Sequence, residues 1–337
     1  MKKSIKRLVC ALLALMMTVT LCACGKSDGS EVIKIGVVIY RGDDAFINNM
    51  MNCLNGFAKD MEQETGKRLN LSIIDSQNSQ TTQNDQAERL ISLDYDVLCV
   101  NLVDRTSASS IIETAMYADV PVVFFNREPV QDDLQKWDKL YYVGTDAEEN
   151  GRLEGQIIVE AYKKDPKKID RNGDGILQYI MIEGEGRHQD AVLRTENSIK
   201  TLRDAGIKVE KIDGGIANWE RSQAAALCGE YFDKYGDAIE VVICNNDDMA
   251  LGVTDALERL GLDFSNIVGI DGMPKCVEKV NDGKILGTVA IDAEAQAKIV
   301  LDIAVALAQG ESAETVAQVP EDKCIRAKCY IITADNQ

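Results

Sequence analysis

From Val32 onward the chain alternates short apolar runs with longer stretches whose apolar positions recur at helical spacing. The run Ile33-Lys34-Ile35-Gly36-Val37-Val38-Ile39-Tyr40 is rich in β-branched residues and predicts a buried strand. Residues 44–64 then have helical spacing. Residues 69–74 predict the next strand and 80–92 the next helix. A strand at 96–101, a helix at 106–118 and a strand at 120–125 follow. The alternation resumes at residues 140–143 and continues through QYIMIEG, IEVVICNND, NIVGIDG and ILGTVAID. Strict alternation of this kind implies α/β architecture, with parallel sheets covered by helices on both faces. The units are too many for one compact sheet, and 337 residues exceed one comfortable core. Two doubly wound lobes are therefore expected. In such sheets ligands lie beyond the carboxyl ends of the strands.

The first residues have a different pattern. Lys2, Lys3, Lys6 and Arg7 precede an apolar stretch, residues 8–21, interrupted only by Thr18 and Thr20. It is too short to span a bilayer comfortably and has the form of a secretory signal peptide. It ends in Leu21-Cys22-Ala23-Cys24-Gly25, which resembles the bacterial lipobox. That resemblance implies cleavage after residues 1–23 and a lipid on Cys24; a plain signal peptide cut near Ala23 is the other reading. Residues 24–31 would then be a lipid-anchored linker, small and polar as a tether requires.

The formal charge is −18, and loss of residues 1–23 removes four positive charges to leave −22. Such acidity repels nucleic acid and favours a neutral or cationic ligand. Of the ten cysteines, Cys10 and Cys22 leave with the signal and Cys24 carries the lipid. Seven remain, an odd number without a CxxC pair, which argues against a disulfide framework. Cys99 and Cys244 sit in apolar strand patterns and read as buried thiols. Cys324 and Cys329 can pair or stay free.

The strand ends carry the candidate chemistry. Asp44 and Phe46 follow the first strand, Asn101 ends the third, and Asn126 follows the fourth. His188, Asp190 and Arg194 follow the strand ending at Glu183. Asn245 and Asn246 follow VVIC, and Asp271 follows IVGI. Carboxylates, carboxamides and a guanidinium form a mixed donor and acceptor set of planar geometry. Sugar hydroxyls each donate and accept, so a hexose calls for such a lining. Any one of these residues can instead cap a helix, but five junctions carrying them favour a site. Trp219 has polar neighbours and, with Phe46, offers an aromatic face to a sugar ring; its other reading is a surface cover. His188 is the only histidine, so a His-based zinc cluster is excluded. Neither a GxSxG elbow nor a GxxxxGK[ST] phosphate loop is present.

Asp170-Arg171-Asn172-Gly173-Asp174-Gly175-Ile176-Leu177-Gln178 matches the opening of a calcium loop. Its twelfth position should be Glu and is Met181. Either another part of the chain supplies a carboxylate, or the loop is a plain Asx-Gly turn.

In order along the chain, IGVVIYRGDDAF, DSQNSQTTQNDQ, VNLVD, VPVVFFNREP, YYVGTDAEENG, DRNGDGILQ, IEVVICNNDDMALG and GIDGMP resemble the periplasmic binding proteins of the ribose-binding type, the galactose/glucose binders in particular. The resemblance runs from about Ile33 to the C-terminus. It implies the type I fold of that family, two lobes hinged around a sugar. The lobes are expected at 32–127 with 293–321, and at 128–292 with 322–337. It implies sugar binding by Asp44, Phe46, Asn101, His188, Asp190, Arg194, Trp219, Asn246 and Asp271. It implies a structural calcium ion on Asp170, Asn172, Asp174, Ile176 (through its carbonyl), Gln178 and Glu240, the last supplying the carboxylate that Met181 cannot. It further implies a monomeric, extracytoplasmic lipoprotein that hands galactose or glucose to an ABC permease and is not an enzyme. One departure stands out: Ile291 replaces a sugar-binding asparagine, so a hydrogen bond to the sugar is expected to be lost. Two rivals remain, a sensor that presents the sugar to a chemoreceptor or kinase, and a glycoside hydrolase built on Asp44 and Asp190. The repressor branch of the fold is set aside by the leader and by the missing helix-turn-helix.

Overall fold

The computed structural model describes residues 32–186 and 188–336; the leader, the tether and Cys24 lie outside the described residues. Two six-stranded sheets form the two lobes. The first contains β1 (Val32–Ile39), β2 (Arg68–Asp75), β3 (Val97–Val100), β4 (Val122–Phe125), β5 (Leu140–Gly144) and β11 (Cys324–Arg326), in the order β11-β5-β4-β3-β1-β2. The second contains β6 (Leu177–Glu183), β7 (Val209–Ile216), β8 (Val241–Cys244), β9 (Ile267–Asp271), β10 (Gly287–Ile291) and β12 (Cys329–Ile332), in the order β12-β10-β9-β8-β6-β7. All pairings are parallel except β10 with β12.

Helices cover both faces of each sheet, so the inner strands are apolar throughout. Every residue of β3, β4 and β8 is buried. In each lobe the winding reverses beside the first strand, at β1/β3 and at β6/β8, and the crevice there is where an open α/β sheet takes its ligand.

The lobe boundaries differ from those expected. β5 bonds β4, with Phe124 opposite Tyr142, and β11 bonds β5, with Cys324 opposite Tyr142. Both strands therefore belong to the first lobe, not the second. The chain crosses between lobes after Gly144, again at Asp292, and last between Arg326 and Cys329. The return at residue 292 agrees with expectation, because the Ala293–Ala308 helix packs on the Ala45–Thr65 helix and on β1, β3, β4 and β5. The pairing of β11 with β5 spans about 180 residues and leaves no period in the sequence, whereas β5 joins the preceding β4 and so continues the first sheet. The seven described cysteines are all free thiols, with Cys324 in one sheet and Cys329 in the other.

Candidate functional site

The first lobe brings its polar groups to the ends of β1 and β4. Asp44 caps the Ala45–Thr65 helix, its Oδ1 accepting from the Ile47 N–H at 2.9 Å. Its Oδ2 accepts from the Tyr40 hydroxyl at 2.5 Å. Capping and site placement thus belong to the same carboxylate. Asn126 has φ 61° and turns the chain at the end of β4. Arg127 follows, with its guanidinium 3.6 Å from the centre of the Tyr40 ring.

The second lobe supplies the rest. His188 caps the Gln189–Asp204 helix, and its Nδ1 accepts from the Asp190 N–H at 3.1 Å. The ring proton is therefore on Nε2, a donor. Burial, then Arg127, Arg194 and Arg105, hold the His188 pKa well below the usual value, so the ring is neutral. Arg194 is buried on the same helix. It donates to the Asn245 carbonyl at 2.9 Å and lies 3.7 Å from Asp190 Oδ2. Gly151 lets this helix come close, since a Cβ there would sit 2.5 Å from the Arg194 carbonyl oxygen. Trp219 stands edge-on to His188 at 5.2 Å. Its ring fits because Gly184 has no side chain: a Cβ there would lie 2.2 Å from the indole. Asn246 caps the Asp247–Leu260 helix.

Asp271 ends β9 with φ 137°, a conformation that L-residues rarely adopt. Such strain persists where the surrounding structure imposes it, often at a functional site. Burial raises the Asp271 pKa well above the carboxylate range; Asp247, Asp44 and Asp248 add to this and Arg194 opposes it. Burial raises Asp190 as well, against Arg194, Arg127 and Arg105.

These groups line a pocket between the lobes, the place where an open α/β sheet takes its ligand. Eight of the expected residues line it: Asp44, Phe46, His188, Asp190, Arg194, Trp219, Asn246 and Asp271. Both lobes contribute aromatic rings and several planar polar groups, the requirements of a ring-shaped polyhydroxylated ligand. Two ion pairs cross the cleft and hold it shut, Arg127–Glu185 at 2.8 Å and Arg41–Glu220 at 3.1 Å.

One expected residue lies outside this lining. Asn101 is fully buried and does not line the cavity. Its carboxamide accepts from the Tyr40 N–H at 3.4 Å and donates to the Phe125 carbonyl and to Asn126 Oδ1. Ile291 is buried in the apolar core, opposite Cys329, and has no side-chain polar group to offer a ligand. Two lining residues were missed, Tyr40 and Arg127, while Asn126 lines the site as a strand-end candidate outside the set that the resemblance implies. Asn126 and Arg127 follow β4, where the strand-end rule points. Tyr40 closes an apolar run and reads as core.

The 170–178 loop folds around its own oxygens. Asp170 accepts from the Gly173 and Gly175 N–H groups, and Asp174 from that of Ile176. Glu240 accepts from the Asn172 and Gln178 N–H groups at 3.0 and 3.1 Å, tying the loop to the start of β8. Among the described residues no three His, Cys, Asp or Glu side chains form a metal cage. The donor set nevertheless suits a hard cation. Asp170 and Glu240 are buried and no Lys or Arg pairs with either among the described residues, which leaves negative charge inside without a counter-ion. Amide carbonyls of Asn172 and Gln178 and the Ile176 carbonyl complete an all-oxygen set.

Residues 35–312 match the family described as the periplasmic binding protein domain. The chain belongs to that family. It is 35% identical over 305 residues to the D-galactose/methyl-galactoside binding periplasmic protein MglB of Haemophilus influenzae, covering 90% of each chain. It is 25% identical over 263 residues to the ribose import binding protein RbsB of Bacillus subtilis, covering 78% of this chain and 79% of that one. Among solved structures, an ABC transporter solute binding protein from Bacillus halodurans C-125 with bound myo-inositol superposes with a TM-score of 0.74 at 28% identity. That match covers 92% of this chain and 97% of the other. This periplasmic binding protein is thus an extracytoplasmic sugar-binding component of ABC transport and not an enzyme. The hydrolase reading built on Asp44 and Asp190 is overturned.

Proposed function

We propose that the chain captures D-galactose or D-glucose between its lobes and delivers it to the permease of an ABC transporter. The observation that carries this reading is the pocket between the lobes lined by Asp44, His188, Asp190, Arg194, Asn246 and Asp271, with Phe46 and Trp219 from opposite lobes. The galactose-binding relative supports the hexose assignment. Sugar bridging the lobes shifts the population toward the closed form, which the permease then reads. His188 Nε2–H and Arg194 donate to sugar oxygens, the aspartates accept from sugar hydroxyls, and the rings cover the apolar faces. Calorimetric titration with D-galactose and D-glucose tests the assignment.

A cyclitol is the second reading, favoured by the myo-inositol bound to the 28% identical relative. Both are six-membered polyhydroxylated rings of similar size, so the lining admits either; a hexopyranose differs in having a ring oxygen and a hydroxymethyl group.

The proposal extends to a structural Ca²⁺ held by oxygens of Asp170, Asn172, Asp174, Ile176, Gln178 and Glu240. When bound, the ion supplies charge neutralisation and a crosslink between the loop and β8. The chain is further proposed to act as a monomer tethered to the membrane by a lipid on Cys24.

A further inference from the structure

Arg127 belongs to the first lobe but makes contacts on three sides. Nη1 donates to the Val103 carbonyl at 2.8 Å. Nη2 donates to Glu185 Oε1 at 2.8 Å, and Glu185 belongs to the second lobe. The guanidinium carbon lies over the Tyr40 ring, 3.6 Å from its centre, a close cation–π contact. Tyr40 is 1% exposed, and its hydroxyl reaches only as far as Asp44 Oδ2. The Asp44 carboxylate is consequently fixed at both oxygens, by its helix on one and by Tyr40 on the other.

We propose that Arg127 is a positioning residue that couples lobe closure to the orientation of the Asp44 carboxylate. With the cleft shut, Glu185 pins the guanidinium over Tyr40, and the clamped ring keeps its hydroxyl on Asp44. Opening the cleft takes Glu185 away. Arg127 then keeps one backbone carbonyl and a ring face, both of which it can leave, and Asp44 loses the group that aims it. The ligand thus meets its full set of acceptors only in the closed form. Affinity is thereby placed in slow release rather than in fast capture. This inference rests on the hexose reading of the same cavity.

The test is stopped-flow binding of D-galactose, followed by the fluorescence of Trp219, with the wild-type protein and the variants E185A, E185Q, R127K, R127A and R127A/E185A. E185A and E185Q are expected to release sugar roughly tenfold faster, with association changed less than about twofold. R127A releases at least as fast, and the double variant no faster than R127A, because both changes break one unit. R127K keeps the ion pair without the flat stack and falls between wild type and R127A. Unchanged release from E185A, or additive effects in the double variant, overturns the coupling. Wild-type protein that binds neither D-galactose nor D-glucose overturns the hexose reading alone. The coupling is then read by solution scattering without sugar: E185A must be wider than wild type, and equal radii of gyration overturn it.

Discussion

Asn101 donates to Asn126 Oδ1 at 3.0 Å and thereby supports the turn that carries Asn126 and Arg127 into the cavity. Its side chain is the link between the ends of β1, β3 and β4. Replacing it with alanine takes the acceptor from the Tyr40 N–H and the partner from Asn126 Oδ1, while the Phe125 carbonyl keeps only the Arg127 N–H. N101A is therefore expected to lose about 1–3 kcal/mol of stability together with sugar affinity. Denaturant melts and sugar titration on the same sample check this. Weaker binding at unchanged stability would mean that Asn101 touches the ligand directly.

Trp219 adopts φ 65°, and its ring lies over Gly184. W219A removes an aromatic wall of the cavity. The expected loss is about 1–3 kcal/mol of binding, roughly tenfold to a hundredfold in Kd. G184A drives a methyl group into the same ring and should weaken binding without touching any polar contact. Titration of both variants, with circular dichroism to confirm folding, reads the effect.

Much of this site was legible because one topological rule narrows the search. His188, Asp190, Arg194, Asn246 and Asp271 all follow strands whose apolar runs are unmistakable, and all five line the cavity. Tyr40 was hidden because it ends a run of buried residues, and only its hydroxyl marks it as more than core. Asn101 was misplaced for the opposite reason: it stands at a strand end but turns inward to the backbone. The membership of β11 rests on pairing with β5, far away in the chain, which no local pattern records; β5 itself pairs with the preceding β4.

Glu154 is fully buried, and neither carboxylate oxygen has a hydrogen-bond partner. Burial raises its pKa well above the usual range; Arg194 opposes the rise and Asp247 adds to it. The folded chain therefore holds a proton that the unfolded chain releases above the ordinary glutamate value. Stability from this group is fully present below that value and falls as pH rises toward the folded pKa. E154Q removes the dependence. It is expected to melt higher than wild type at pH 8 and to match it near pH 4, as read by calorimetric melts across that range.

The loop and Glu240 give the calcium proposal its own test. An ion present at a hundred times its Kd stabilises by about 2.7 kcal/mol, which for a chain of this size is a melting shift on the order of 5 °C. Chelation should lower the melting temperature by that amount and added Ca²⁺ should restore it. E240Q should abolish the response. A chelator without effect on the wild-type protein would leave the loop as a hydrogen-bonded turn.

The central claim, a cavity built for one hexose, is tested most directly by calorimetric titration of the purified protein with D-galactose, D-glucose, D-ribose and myo-inositol. Tight one-to-one binding of D-galactose or D-glucose, with ribose and myo-inositol at least about tenfold weaker, is the predicted result. Tight binding of myo-inositol or ribose with silence toward both hexoses would contradict it.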